Sequence, residues 1–242
     1  MTDVDDTLSL HGRVVPEAFA AMARAKAAGL AVIPVTGRPA GWCDHIGRMW
    51  PCDGVVGENG GLWFYMRGGK LVESYAQPAE LRAANQAKLV AIREAVLAEV
   101  PGAAIASDQP YRALDLAIDF AEDVPELPDA DIDKIVAIFE RFGAMCKVSS
   151  IHVNGWFGTF DKLAGFQGLC AELGLDPSPD RWAYSGDSAN DAPMFAHFDV
   201  SVGVANVDRW LPRIPVAPAF RTAGAGGYGF AELVDRVLAL RG

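Results

Sequence analysis

The spacing of apolar positions divides the first part of the chain into alternating helices and buried strands. Residues 16–29 begin with Pro16 and close on Gly29, which is typical of a helix with proline in its first turn and glycine just past its end. The almost wholly apolar run 30–35 follows, the pattern of a strand buried on both faces. After a polar loop, a second helix is predicted over 39–50. This alternation predicts a doubly wound, Rossmann-like parallel sheet.

The alternation is interrupted in the middle of the chain. Two apolar runs, 62–65 and 71–75, flank the sequence MRGGK and predict an antiparallel hairpin. The segments beyond it mix helical periods with alternating strands, which is typical of an antiparallel α+β unit. We expect helices over 78–99 and 128–142, and strands over 113–119 and 144–157.

The strand–helix alternation returns at residue 161 and continues to the end of the chain. The predicted elements are a helix to Leu173, strands over 182–186 and 200–204 with a helix between them, and a final helix from Gly229. The sequence therefore predicts an α/β core domain, 1–77 plus 159–242, with an inserted α+β cap domain, 78–158.

Composition excludes several functional classes. The 242 residues carry 31 acidic and 21 basic side chains, a net charge of −10, so there is no general basic surface for nucleic acid or an anionic membrane. No apolar run approaches the roughly 18 to 20 residues of a membrane span. The four cysteines are scattered, which indicates neither a zinc site nor a disulfide framework. We expect a cytoplasmic monomer or homodimer that binds neither nucleic acid nor membranes.

Asp3 and Asp5 stand where an emerging strand ends and a loop begins. The carboxyl edge of a parallel sheet is where such folds bind ligands. Like charges this close repel each other unless a cation lies between them, and Mg²⁺ prefers oxygen ligands. A solvated acidic turn is the alternative that these two residues alone leave open.

Two further segments place polar groups at the same edge. Thr36 and Gly37 follow the apolar run 30–35, where a hydroxyl and exposed loop N–H groups can hold a phosphate oxygen. Lys162, one of six lysines, stands at a predicted helix start, where the helix dipole does not favour a cation. An anionic partner would explain it. An ordinary turn and a solvated lysine are the respective alternatives.

The most specific segment is GDSAND at 186–191. Asp187 and Asp191 are four residues apart across a strand-to-helix turn, so both can address one point above the sheet edge. Helix capping alone does not require two aspartates together with Asn190. Together with the pair Asp3 and Asp5, with Thr36 and with Lys162, this segment is expected at one edge of one sheet.

These residues resemble the four signature motifs of the haloacid dehalogenase (HAD) superfamily of phosphotransferases. DVDDT at 3–7 is similar to the DxDx[TV] nucleophile motif, Thr36 to the Ser/Thr motif, Lys162 to the basic motif and GDSAND to the acidic motif. The insertion resembles the C2-type cap of the Cof-like, class IIB branch. Within that branch, the sequences GENGG and GDSANDAPMF resemble archaeal phosphoglycolate phosphatases and, more loosely, sucrose- and trehalose-phosphate phosphatases and phosphomannomutases.

The resemblance implies roles for the matching residues. Asp3 would be the nucleophile that forms an aspartyl-phosphate, and Asp5 the general acid and base. The groups expected to bind the phosphoryl oxygens are Thr36, Gly37, Lys162 and Asn190, with Thr36 and Lys162 also counted as catalytic. The implied cofactor is Mg²⁺, held by Asp3, the Asp5 backbone carbonyl and Asp187, with Asp191 completing the metal site through water or Lys162.

The implied activity is Mg²⁺-dependent hydrolysis of a small phosphorylated metabolite, such as a sugar phosphate or phosphoglycolate. A phosphomutase would use the same nucleophile while excluding water, and a required bisphosphate activator would favour it. A phospho-signalling receiver domain and a non-catalytic phospho-ligand-binding protein are further alternatives. The chain length, the insertion and GDSAND argue against a receiver.

Class IIB caps contact the leaving group, and four residues of the predicted cap are candidates for this role. Arg112 precedes an alternating strand and could meet a second anionic group. His152, Asn154 and Trp156 share one face of a predicted strand, and such a polar and aromatic face suits a sugar or a small acid. Packing within the cap is the alternative for all four.

One departure from the family concerns the first strand. The family's nucleophile follows a central strand of about five apolar residues, whereas only Met1 and Thr2 precede Asp3. Such a short strand would leave ladder hydrogen bonds on its neighbours unpaired. We therefore expect that the numbering begins late, and that adding the upstream coding residues would raise expression and thermal stability.

Overall fold

A computed structural model describes residues 1–241 of the chain. The helices are α1 (Pro16–Ala27), α2 (Ala40–Met49), α3 (Ala79–Glu99), α4 (Asp129–Arg141), α5 (Lys162–Leu173), α6 (Ala192–His197) and α7 (Gly226–Arg241). The strands are β1 (Ser9–Leu10), β2 (Arg13–Val14), β3 (Val55–Gly57), β4 (Leu62–Arg67), β5 (Lys70–Tyr75), β6 (Ala104–Ile105), β7 (Leu116–Asp119), β8 (Met145–Val148), β9 (His152–Trp156), β10 (Ala183–Gly186), β11 (Val200–Gly203) and β12 (Phe220–Arg221).

The core of the fold is a parallel sheet, as the sequence predicts. Strands β10, β11 and β12 pair in parallel in that order. On the other side of β10, Thr2 forms parallel bridges with Ser185 and Pro34, and Val35 forms one with Val56 in β3. The N-terminal segment therefore lies in the middle of the sheet, between β10 and the Pro34–Val35 segment. This position places Asp3 at the carboxyl edge of the central segment.

The predicted strand over 30–35 forms only at its end. Pro34 and Val35 make bridges, whereas the Val32 N–H donates to a side-chain oxygen, Asp53 Oδ2, at 2.8 Å. Residues 30–32 instead border a groove of about 570 Å³ beside Met1, lined on its far side by residues of α7. The Met1 ammonium donates to the Ala183 carbonyl at 2.7 Å. The expectation that the numbering begins late stays a prediction.

An antiparallel hairpin extends one side of the core sheet. Strands β4 and β5 pair from Leu62 opposite Tyr75 to Arg67 opposite Lys70, which confirms the predicted hairpin. Gly68 and Gly69 form its turn with φ of 59° and 76°, values that glycine adopts at little cost. Strand β4 also pairs antiparallel with β3, so the hairpin is continuous with the core.

The segment between the hairpin and α5 forms a separate antiparallel sheet, the cap sheet, with strand order β6–β7–β9–β8. Helix α4 buries Ile132, Ile135, Ile138 and Phe139, which recur at helical spacing along one face, in the same hydrophobic cluster as apolar residues of α3. This agrees with the antiparallel α+β unit that the sequence predicts. The domain bounds 78–158 remain a prediction.

Helix ends follow local sequence signals with one exception. Asp161 accepts the Ala164 N–H at 2.9 Å and begins α5, and Gly174, at φ 68°, ends it. The final helix begins at Gly226, three residues before the predicted start, and a Cβ on Gly226 would lie 2.5 Å from the Ser9 carbonyl of β1, so a side chain would not fit there. Within residues 1–241, no helix combines the length and apolar character needed to cross a membrane.

Candidate active site

The polar residues that follow the core strands meet at one edge of the sheet. Asp3 follows the central segment, Thr36 follows the Pro34–Val35 segment, and Asp187 follows β10. Lys162 enters from the first turn of α5, and Asp191 from the short turn before α6. All five are almost fully buried. Charged groups are rarely buried without partners, so the charges within this cluster have to be compared with one another.

Lys162 is the centre of this cluster. Its Nζ donates to Asp3 Oδ1 and to Asp191 Oδ1, each at 2.6 Å. Burial alone would lower the pKa of Lys162, but the carboxylates of Asp191 and Asp3 raise it above its ordinary value. The lysine is therefore a permanent cation beside the expected nucleophile.

The three carboxylates carry more negative charge than one lysine neutralises. Burial raises the pKa of Asp3 from 3.8 to about 8, although Lys162 opposes the shift. Burial also raises the pKa of Asp187 well above its ordinary value, and the nearby charges of Asp3 and Asp191 add to the shift. A positive charge bound beside these carboxylates would lower both pKa values toward their ordinary range.

The donor set at this point fits a magnesium ion. Carboxylate oxygens of Asp3, Asp187 and Asp191 all lie within 4.8 Å of one another. Only oxygen ligands are offered and the charge is in excess, both of which suit Mg²⁺. Each Asp191 oxygen is already engaged, Oδ1 by Lys162 and the Tyr184 hydroxyl and Oδ2 by backbone N–H groups. The contacts to Asp187 are longer, 3.4 Å from the Thr7 hydroxyl and 3.2 Å from the Asn206 amide. A metal ion at this point would therefore be held more readily by Asp3 and Asp187 than by Asp191, whose carboxylate also holds the lysine.

The predicted phosphate-binding residues lie beside the carboxylates. The Thr36 Oγ1 accepts the Arg38 N–H at 3.0 Å, which fixes the loop that follows the strand. Asn190 donates to Asn59 Oδ1 at 3.1 Å. A Cβ on Gly37 would come within 3.1 Å of the Asn59 amide, so glycine allows this close approach. Of these residues, Gly37 and Asn190 line a cavity beside Asp3.

That cavity lies between the core and the cap sheet and has a volume of only about 10 Å³, room for roughly one water molecule. The cap is therefore closed over the carboxylates. The residues that line the cavity are Asp3, Asp5, Gly37, Arg38, Ser149, Ser150, His152, Asn154, Ser188 and Asn190. Two of the four predicted cap residues, His152 and Asn154, are among them.

The other two predicted cap residues have partners elsewhere. Trp156 stacks on Phe160, with ring centroids 5.4 Å apart and planes at 15°, inside a hydrophobic cluster. Arg112 donates to Asp108 and Asp115 at 2.9 to 3.1 Å and to the Gly37 carbonyl at 2.9 Å. Its guanidinium joins cap to core, with no exposed surface for a second anionic group of a substrate.

Asp5, the expected acid and base, does not join the charge cluster. Its carboxylate accepts from Arg38 Nε at 2.8 and 3.0 Å. Arg38 had no predicted role, although it directly follows the Thr36-Gly37 pair and occupies the same loop. Its other nitrogens contact two cap carboxylates, Asp108 and Glu122.

Glu58 is a second residue that the sequence analysis did not assign. Its carboxylate accepts four backbone N–H groups, one from Ala40 in the core and three from the cap segment Ala113–Asp115, at 2.6 to 3.2 Å. Burial and Asp115 raise its pKa to about 7. The residue has a left-handed backbone, φ 45°, which is uncommon outside glycine. The sequence signal available was its place between two glycine positions in GENGG.

No family model and no curated protein matches the chain. Solved structures match over almost its whole length. A Thermoplasma acidophilum protein has a TM-score of 0.73 at 19% identity, covering 97% of this chain and 95% of its own. The sucrose-phosphatase of Synechocystis sp., solved with sucrose and phosphate, has 0.67 at 16%, covering 97% and 95%. A HAD subclass IIB sugar phosphatase has 0.65 at 14%, covering 98% and 97%.

These likenesses show the fold. The chain has a Rossmann-like core with a cap, a fold similar to that of the HAD subclass IIB sugar phosphatase. A structure described as a HAD/COF-like hydrolase from Plasmodium vivax has a similar fold, with a TM-score of 0.71 at 17% identity.

Proposed function

We propose that the protein is a HAD-type phosphatase that hydrolyses a small phosphorylated metabolite with the help of Mg²⁺. The observation that carries the proposal is the placement of Lys162 between Asp3 and Asp191, with Asp187 beside them and Asp3 also lining the closed cavity. The printed descriptions of the similar structures, which include a sugar phosphatase and a sucrose-phosphatase, support it.

In the first half of the reaction, an Asp3 oxygen forms a bond to phosphorus as the bond from phosphorus to the leaving oxygen breaks. Asp5 gives its proton to that leaving oxygen. Lys162 and the groups around Thr36 hold the charge of the transferring phosphoryl oxygens. A bound Mg²⁺, held by Asp3 and Asp187, would offset the repulsion between a carboxylate and a phosphate dianion.

In the second half, the Asp5 carboxylate takes a proton from water, and the water oxygen bonds to phosphorus. The bond between phosphorus and Asp3 breaks, which releases inorganic phosphate and restores both carboxyl groups. The closed cap keeps bulk water away from the intermediate, since the cavity has room for roughly one water molecule.

The cavity lining favours a neutral, hydroxylated leaving group. Its cap side presents Ser149, Ser150, His152 and Asn154, which can donate to or accept from hydroxyl groups. Both arginines at this interface are already bound by carboxylates. A sugar phosphate therefore suits the site better than phosphoglycolate, whose leaving group carries a second negative charge. Four free cysteines and such a substrate agree with a cytoplasmic protein.

The test is phosphate release from a panel of sugar phosphates and phosphoglycolate, with Mg²⁺ and with chelator. Wild type, Asp3→Asn and the exposed control Asp199→Asn are compared. We expect Mg²⁺-dependent release by wild type and the control, and none by Asp3→Asn. Release by Asp3→Asn at the wild-type rate would refute the nucleophile.

A phosphomutase is the second candidate, because the water-poor cavity also suits an enzyme that must exclude water. It predicts a phosphorylated Asp3 without phosphate release, and turnover only when a sugar bisphosphate is added. The same panel, run with and without a bisphosphate, separates the two activities.

A further inference from the structure

Arg38 links the expected acid and base to the cap. Its Nε donates to both oxygens of Asp5 at 2.8 and 3.0 Å, and its Nη1 and Nη2 donate to Glu122 at 3.1 and 2.6 Å. Asp108 adds a longer contact to Nη1 at 3.3 Å. The Arg38 side chain is only 4% exposed. One guanidinium thus joins a core carboxylate to two cap carboxylates.

The orientation of this guanidinium is fixed from several sides. Its plane lies over the Trp42 ring, with the central carbon 4.2 Å from the ring centroid. The planar guanidinium group contacts Asp5 along one edge and Glu122 along another, so it has little freedom to rotate. Removing the Glu122 contact leaves only the weaker contact to Asp108 on the cap side.

Glu122 is itself held in place by its own loop. Strand β7 ends at Asp119, whose carboxylate accepts the N–H groups of Ala121, Glu122 and Asp123 at 2.8 to 3.0 Å. His152 Nε2 lies 2.9 Å from Glu122. Burial raises the pKa of Glu122, but His152 and Arg38 lower it further, to about 2. The loop therefore presents a fixed carboxylate to Arg38 whenever the cap is docked.

We propose that Arg38 is a positioning residue through which docking of the cap loop 119–123 sets the orientation of Asp5. The inference rests on the proposed function and deepens it. After Asp5 has given its proton to the leaving group, its carboxylate pairs with Arg38 and is held for the second half-reaction. The base that activates water is thus in position only while the cap is closed.

The chemistry predicts which half-reaction suffers when the link is broken. p-Nitrophenolate leaves without strong need for a proton, so its release in the first turnover reports attack by Asp3 alone. Hydrolysis of the aspartyl-phosphate needs the oriented Asp5 carboxylate, because water must lose a proton as it bonds to phosphorus. Loss of orientation should slow the second step and leave the first one unchanged.

The experiment compares Glu122→Gln and Arg38→Lys with wild type, using p-nitrophenyl phosphate in rapid-mixing assays. The matched control is Glu126→Gln, since Glu126 is an exposed cap carboxylate that pairs with Arg209 of the core, away from Asp5. We expect both test variants to keep the burst rate within about twofold of the wild-type rate. Their kcat should fall about tenfold or more, because misplacing the base removes part of the contribution of general acid–base catalysis. Phosphorylated Asp3 should accumulate, and the control should behave as wild type.

Equal losses of burst rate and kcat would overturn the proposal, because they would report general damage to the site. Unchanged burst rate and kcat would also overturn it, because the cap loop would then have no effect on Asp5. A readout without turnover is the crystal structure of the Glu122→Gln variant, in which we expect Arg38 to leave Asp5. If wild type releases no nitrophenolate, the proposed function fails, and the crystal structure still decides the link. Arg38 still bound to both Asp5 oxygens in that variant would refute it.

Discussion

Replacing Asp187 with asparagine is expected to stabilise the metal-free protein while removing its response to Mg²⁺. The Asp187 carboxylate is buried beside two other carboxylates and one lysine. Burial and the neighbouring carboxylates raise its pKa, so ionising this group costs more free energy in the folded protein than in the unfolded chain. Asparagine has nearly the same shape and carries no charge.

The magnitude follows from what burial of unmatched charge costs. Replacing buried ionic groups with neutral residues of similar volume stabilises proteins by about 1–4 kcal/mol. For a chain of this length, 1 kcal/mol changes Tm by about 2–4 °C, so the variant should melt about 2–16 °C higher in chelator. The gain should shrink as the pH approaches 4.

Thermal unfolding of wild type and Asp187→Asn at about pH 5 and pH 7, in chelator and in Mg²⁺, tests this reasoning. Mg²⁺ should raise the Tm of wild type and leave that of the variant unchanged, because the variant lacks one of the two direct ligands. Asp199→Asn, an exposed substitution of the same kind, should have no effect. A variant that melts below wild type in chelator at pH 7 would refute the account of the charge cluster.

Two further predictions concern stability. In chelator, the unfolding free energy of wild type should fall as the pH rises from about 4 to 8. Asp3 has a pKa of about 8 when folded and 3.8 when unfolded, so the folded state holds the extra proton over this range. Urea titrations that give the same unfolding free energy at each pH would contradict this. Gly60→Ala should lower both Tm and turnover, because the new Cβ would lie 1.8 Å from the Asp161 carbonyl at the start of α5. The control is Gly174→Ala, which has open space around it and should lower Tm by much less.

The helices were predictable because their signals are local. Proline at the start of α1, glycine after α5 and the apolar spacing of α4 are all read from neighbouring residues. The strand over 30–35 was predicted from its apolar run, but a ladder also depends on a partner distant in sequence. Since its neighbour pairs only at Thr2, most of that run forms no strand.

The charge cluster was predictable for a different reason. In a parallel sheet the carboxyl ends of all strands meet at one edge, so polar residues after successive strands must converge. The assignments to Asp3, Lys162, Asp187 and Asp191 depend only on this rule and on the motifs. The structure brings these four side chains together.

The contacts between cap and core could not be read from the sequence. Arg38 and Glu122 are 84 residues apart, and no periodicity shows which face of the cap sheet meets the core. Trp156 shares a strand with His152 but stacks on Phe160 beyond the end of that strand, because its ring is covered by core residues. Pairings between two separately folded layers are set by how the layers dock, which local pattern does not encode.

Glu58 has a consequence for how the specificity of such a protein can change. Its carboxylate binds the cap by accepting the backbone N–H groups of Ala113–Asp115. Every residue type except proline has a backbone N–H group. The hold therefore places almost no demand on side-chain identity in the segment it binds. Cap side chains around the leaving group can be exchanged one at a time while this attachment stays intact. A core carboxylate that binds the cap only through its backbone thus leaves the cap side chains free to change toward new substrates.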